Sequence, residues 1–131
     1  MGQRERPLSP FLLYRWQYTN TLSILHRITG VLLSAGFLVL VYWLAAAANG
    51  PRHYARALDC LSSPPMQLVL AGALWSFCFH FLNGIRHLFW DFGAGFELRT
   101  ARASGWTVAI GSLVLTALLW FVLRHGLGAA A

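Results

Sequence analysis

His80 is the only Asp, Glu, Lys, Arg or His between positions 66 and 85, and the chain reads Gly84-Ile85-Arg86-His87-Leu88-Phe89-Trp90-Asp91 just beyond it. An ionisable side chain in such an apolar run is paired, ligated or functional, because hydrocarbon offers it no water. A neutral imidazole beside a glycine gap can hold a flat metal cofactor, and it can equally bond to a neighbouring helix. Ser76, His80, Asn83, Gly84 and His87 recur on one helical face. Gly84 removes the side chain that would block a planar ring. Arg86 and His87 follow His80 by about 9 to 11 Å along the axis, where carboxylates hanging from such a ring would meet cationic partners.

A second cluster precedes it. Ser23, His26, Arg27 and Gly30 share one face, and Ser34 extends it into a small-x-x-x-small pair that admits a close neighbour. Taken singly, Arg27 reads as a snorkelling anchor, Ser23 as a hydroxyl bonded to its own helix, and Gly30 and Ser34 as packing residues. Together, a hydroxyl, an imidazole and a guanidinium form a site for an anionic or carbonyl-bearing group. The expected topology sets His26 and Arg27 at the membrane level of Arg86 and His87.

The elements that carry these residues are membrane spans. The 131-residue chain is 57% hydrophobic and 11% charged, with a mean hydropathy of +0.56, against about 25% charged residues in soluble domains. Residues 28–48 and 106–123 contain no Asp, Glu, Lys, Arg or His. Runs of about twenty such residues cross roughly 30 Å of hydrocarbon. The expected fold is all-α: one domain over residues 1–131, with an interfacial segment 1–21 and three transmembrane helices near 22–48, 66–90 and 105–125. Ser9-Pro10 opens a short interfacial helix through Trp16, and Thr19-Asn20-Thr21 supplies a break and cap. Asn49-Gly50-Pro51 ends the first span, Ser62-Ser63-Pro64-Pro65 leads into the second, and Phe92-Gly93-Ala94-Gly95 ends it.

Trp and Tyr flank the spans, as interfacial aromatics do. Arg4, Arg6, Arg15, Arg99 and Arg102 outnumber Arg52, Arg56 and Arg124 across the two sides, which favours a cytoplasmic N-terminus. With no cleavable signal and no transit-like composition, the expected location is a bacterial inner membrane. The net charge of +6 is scattered, which argues for anchoring in the lipid bilayer and against a nucleic-acid partner. Cys60 and Cys78 form no C-x-x-C-H motif, so a haem here would have no thioether bond. Gly93-x-Gly95 lacks the third glycine of a dinucleotide fingerprint.

Three motifs carry a family resemblance: Arg6-Pro7-Leu8-Ser9-Pro10, Ser23-Ile24-Leu25-His26-Arg27-Ile28-Thr29-Gly30, and His80-x-x-x-Gly84-Ile85-Arg86-His87-Leu88-x-x-Asp91. The chain resembles the cytochrome b membrane-anchor subunits of succinate dehydrogenase, respiratory complex II, over essentially its whole length. Phe11 departs from the histidine that many members carry after the Ser-Pro, at a position that is not a ligand in the family. The resemblance implies haem b shared with a second small membrane-anchor subunit, with His80 one axial ligand. It implies His26, Arg27, Gly30, Gly84 and His87 around the haem and its propionates, and Ser23, Arg27 and, more weakly, Asp91 at a ubiquinone site. It also implies a flavoprotein subunit holding FAD and an iron-sulphur subunit holding the clusters, with succinate oxidised there and not on this chain. The alternatives are a haem-free structural anchor and a haem b anchor of another quinone-linked oxidoreductase. A two-haem anchor would need more in-span histidines, and a proton or solute transporter would want acidic residues within its spans.

Overall fold

The computed structural model describes residues 18–126 as four helices: α1 (Tyr18–Ala48), α2 (Pro51–Ser62), α3 (Pro64–Asp91) and α4 (Leu98–Gly126). Three of them, α1, α3 and α4, are long and apolar enough to cross a membrane. The proposed helix before Trp16 lies outside the described residues. Thr19, Asn20 and Thr21 make no break, since α1 already includes them. The helices also run beyond the expected spans. At about 1.5 Å per residue, α1's 31 residues reach roughly 46 Å, beyond the ~30 Å hydrocarbon core. Hydropathy marks the lipid-buried part of a helix, whereas backbone hydrogen bonding continues into the polar turns that flank it.

The helix ends follow local chemistry. Gly50 takes a left-handed φ of 100° that L side chains rarely adopt, and Pro51 then starts α2 at a position where its missing N–H costs nothing. Ser63 closes α2 through bonds to the Cys60 carbonyl from both its backbone N–H and its hydroxyl, the latter at 2.6 Å, and Pro64 opens α3. After α3 the chain turns through Gly93 and Gly95, both at positive φ, and the Trp90 indole donates to the Gly95 carbonyl at 3.2 Å. The segment between the first two spans, expected as a loop, is itself helical: its polar and apolar residues alternate with helical period, so α2 is amphipathic.

Helix α3 occupies the centre, packing on α1 on one side and on α4 on another. Leu22, Phe79 and Val108, one from each spanning helix, form the buried cluster. Helices α1 and α4 meet where Leu22 and Tyr18 press on Gly105; a methyl there would come within 2.6 Å of Leu22 Cδ1 and 2.8 Å of Tyr18 Cε1. Tyr18 also stacks on Trp106 with ring centroids 5.0 Å apart. Most large apolar side chains point outward, Val31 and Leu38 among them. That pattern suits a bundle whose surroundings are lipid and other apolar helices.

Candidate functional site

Each residue turns about 100° around a helix. His87 therefore returns to nearly the azimuth of His80, whereas Arg86 falls about a third of a turn away. On α1 the same arithmetic turns His26, Thr29 and Gly30 toward α3, with Ser23 and Arg27 at the edge away from Leu22 and α4.

The structure brings the His26 and His80 rings face to face, centroids 3.9 Å apart and planes 10° from parallel. His80 Nδ1 lies 3.1 Å from the His26 backbone carbonyl. A carbonyl only accepts, so Nδ1 carries the proton and Nε2 presents its lone pair. Nε2 has no hydrogen-bond partner among the described residues. The Thr29 hydroxyl donates to the carbonyls of Leu25 and His26, at 2.8 and 3.0 Å, and its oxygen sits 3.4 Å from His80 Nδ1. Gly30 lies against the same ring: a methyl there would lie 3.2 Å from His80 Cε1. The ring is thus oriented by a carbonyl, a buried threonine and the absence of a side chain.

His26 is also close to His87, with centroids 5.1 Å apart, and Asn83 Nδ2 lies 3.4 Å from His87 Nε2. The expectation that His26 sits level with His87, well away from His80 in depth, is corrected: it packs against both. The sequence gives positions along each helix but not the axial offset between helices, and side-chain packing sets that offset. Face-to-face imidazoles point their nitrogens alongside one another, so this pair is not arranged to grip one iron between them.

Arg86 is corrected as well. Expected at the level of His87 to meet the carboxylates of a bound ring, it turns to α4 instead. Its Nε donates to Ser104 Oγ at 2.9 Å and one terminal nitrogen to the Ala101 carbonyl at 3.0 Å. The other bonds Asn83 Oδ1 at 3.4 Å, and the guanidinium lies 4.0 Å from the centre of the Trp90 ring. The one-third turn between Arg86 and His80 decides this.

The remaining candidates lie nearby or outside. Ser23 is half-buried and Arg27 exposed, and neither has a hydrogen bond or ion pair among the described residues. A methyl at Gly84 would meet nothing within 4 Å, so this edge of α3 is open. Ser34 bonds back to the Gly30 carbonyl. Asp91 is the exposed last residue of α3. Sequence reasoning passed over Thr29 as a site residue, although it falls on the face of His26 and Gly30 and is completely buried.

Residues 2–119 match the family of succinate dehydrogenase/fumarate reductase transmembrane subunits. The chain belongs to that family. It is 42% identical over 117 residues to the succinate dehydrogenase cytochrome b556 subunit of Rickettsia prowazekii, covering 88% of this chain and 91% of the relative. It is 40% identical over 123 residues to the cytochrome b556 subunit of Paracoccus denitrificans, covering 93% and 95%. The mitochondrial cytochrome b560 subunit of Sus scrofa is 37% identical over 111 residues, 80% of this chain and 64% of the relative. Membership in this transmembrane family and three apolar helices make the chain a multi-pass membrane protein.

Proposed function

We propose that this chain is the haem b anchor of a succinate dehydrogenase, sharing the haem with a second small membrane subunit and forming part of the ubiquinone-reduction site. The observation that carries this reading is His80 itself. Metal-ligating histidines usually donate their other ring N–H to a carbonyl or carboxylate, which fixes tautomer and orientation; His80 does so to the His26 carbonyl, leaving Nε2 free. The residues fit the group. Gly30 leaves room for the His80 ring, Gly84 is clear, and His26 and His87 stand beside His80 where propionates could be met. A histidine of the other subunit would hold the group together with His80. When bound between two histidines, haem b supplies one-electron transfer and leaves no open position for oxygen.

Ser23 and Arg27 form the quinone-binding edge, with Asp91 a weaker third member at the membrane surface. A quinone gains two electrons and two protons, so its oxygens develop negative charge. A guanidinium in a low-dielectric pocket stabilises that charge better than water does. The Ser23 hydroxyl can donate to a carbonyl and accept in turn. Arg27 is free to do this because nothing among the described residues holds it. The flavoprotein with its FAD and the iron-sulphur subunit deliver electrons from succinate, and the complex sits in a bacterial inner membrane with this chain's N-terminus cytoplasmic.

The test is low-temperature spin resonance of the purified complex. His80→Tyr should abolish the bis-histidine signal. His26→Ala should keep it, because the carbonyl that holds His80 belongs to the backbone and survives the substitution. Loss of the signal in a folded His26→Ala complex would place both ligands in this chain and overturn the shared-haem reading.

A further inference from the structure

A recess lies on a different side of α3 from His80. It is a cleft of about 620 Å³ between α3 and α4, within the ~300–1,000 Å³ range of ligand pockets. Its walls are graded. Thr100, Ser104 and Arg86 line the end near the α3–α4 loop, and Leu82, Val108 and Leu115 line the rest. From Thr100 to Leu115 the wall of α4 rises about 22 Å, more than one leaflet of a ~30 Å hydrocarbon core.

Arg86 is the reason to assign an occupant. Its side chain is only 6% exposed, and a guanidinium always carries its charge. Of its five N–H donors, three are used, and all three acceptors are neutral: Ser104, Asn83 and the Ala101 carbonyl. No carboxylate pairs with it among the described residues. Asp91 and Glu97 are exposed nearby in sequence without reaching it, and Arg99 and Arg102 add positive charge to the first turns of α4. Intramembrane charges are ordinarily paired, and a phosphate offers a guanidinium's spare N–H groups charge-assisted acceptors.

We propose that this cleft holds one anionic diacyl phospholipid from the bilayer, its phosphate at Arg86 and one acyl chain along Leu82, Val108 and Leu115. Basic pockets between transmembrane helices at a membrane surface bind anionic headgroups in this way. Because Arg86 lies five residues before the end of α3, about 8 Å of rise, its depth suits a headgroup better than a group at mid-membrane. The opposed arrangement matters: His80 is held by α1, whereas this cleft is built by α3 and α4.

The experiment uses the assembled complex, purified in detergent and washed, with bound lipid quantified by mass spectrometry. Reconstitution follows in nanodiscs of dioleoyl phosphatidylglycerol or dioleoyl phosphatidylcholine. The parental complex should retain about one anionic phospholipid for each copy of this chain and prefer phosphatidylglycerol, as a charge-assisted contact predicts. Thr107→Trp, which fills the cleft, should lower retention roughly tenfold or more, and Arg86→Gln should erase the headgroup preference. Leu115→Trp serves if Thr107→Trp fails to assemble. Retention unchanged in the filled variants would overturn the proposal. So would displacement of the lipid by a short-chain quinone, or cross-linking of Thr107→Cys to another subunit, since the occupant would then be a quinone or a protein helix.

Discussion

Gly30 offers the sharpest perturbation of the His80 site. A methyl at this position would stand 3.2 Å from His80 Cε1 and 3.6 Å from Nδ1, where carbon contacts prefer about 3.5–4.0 Å. The ring must therefore give by a few tenths of an ångström. It is backed by the His26 ring at 3.9 Å and tethered at 3.1 Å, so Gly30→Ala strains the tether toward the ~3.5 Å at which a hydrogen bond is lost. Overpacking of this kind costs about 1–3 kcal/mol, and losing the outer-shell partner of a metal ligand typically costs about 10- to 100-fold in affinity. Gly30→Val, with two further methyls, should lose most of the haem. Gly36→Ala on the same helix is the control, since its methyl would meet Ala73 Cβ at an ordinary 3.7 Å. Haem per chain, measured as the pyridine haemochrome of the purified complex, should fall in the order Gly36→Ala, Gly30→Ala, Gly30→Val. Gly84→Ala completes the series: its methyl meets nothing within 4 Å in this chain, so haem loss there with normal assembly reports the ring edge itself. Full haem content and an unchanged spin-resonance signal in Gly30→Val would refute the reasoning that Gly30 positions His80.

Three further outcomes are expected. Arg27→Ala should lower quinone reduction by roughly 100-fold, about 3 kcal/mol as for a lost oxyanion donor, with Ser23→Ala acting in the same direction, while succinate oxidation with a soluble acceptor persists; parental quinone reduction in Arg27→Ala would remove that residue from the pocket. Gly105→Ala should destabilise the α1–α4 contact by about 1–3 kcal/mol, because its methyl would collide with Leu22 and Tyr18, and a thermal unfolding midpoint equal to the parent's would contradict that packing. Expressed without the second membrane subunit, this chain should not yield a monodisperse, haem-loaded protein, since the edge carrying Ser23, Arg27 and Gly84 is open; size-exclusion chromatography with haem absorbance checks this.

The chain's order of amino acids determined a good deal by itself. Three apolar runs dictate three spanning helices, because hydrocarbon requires every backbone group to be satisfied within its own segment. Gly50-Pro51 and Ser63-Pro64 dictate where helices stop and start, through φ and the missing proline N–H. Periodicity alone returns His87 to the azimuth of His80 and carries Arg86 off it. What the sequence could not state is how far one helix slides along another and how it is rotated. Those two quantities come from close contacts made at long range, such as Gly30 on the His80 ring and Gly105 under Leu22 and Tyr18. They decide that His26 stacks on His80, that a backbone carbonyl with no sequence signature fixes its tautomer, and which atoms of α4, Ser104 Oγ and the Ala101 carbonyl, receive two of the three Arg86 hydrogen bonds. Local chemistry sets each helix and its faces; only the packing of helix against helix sets which atoms of those faces meet.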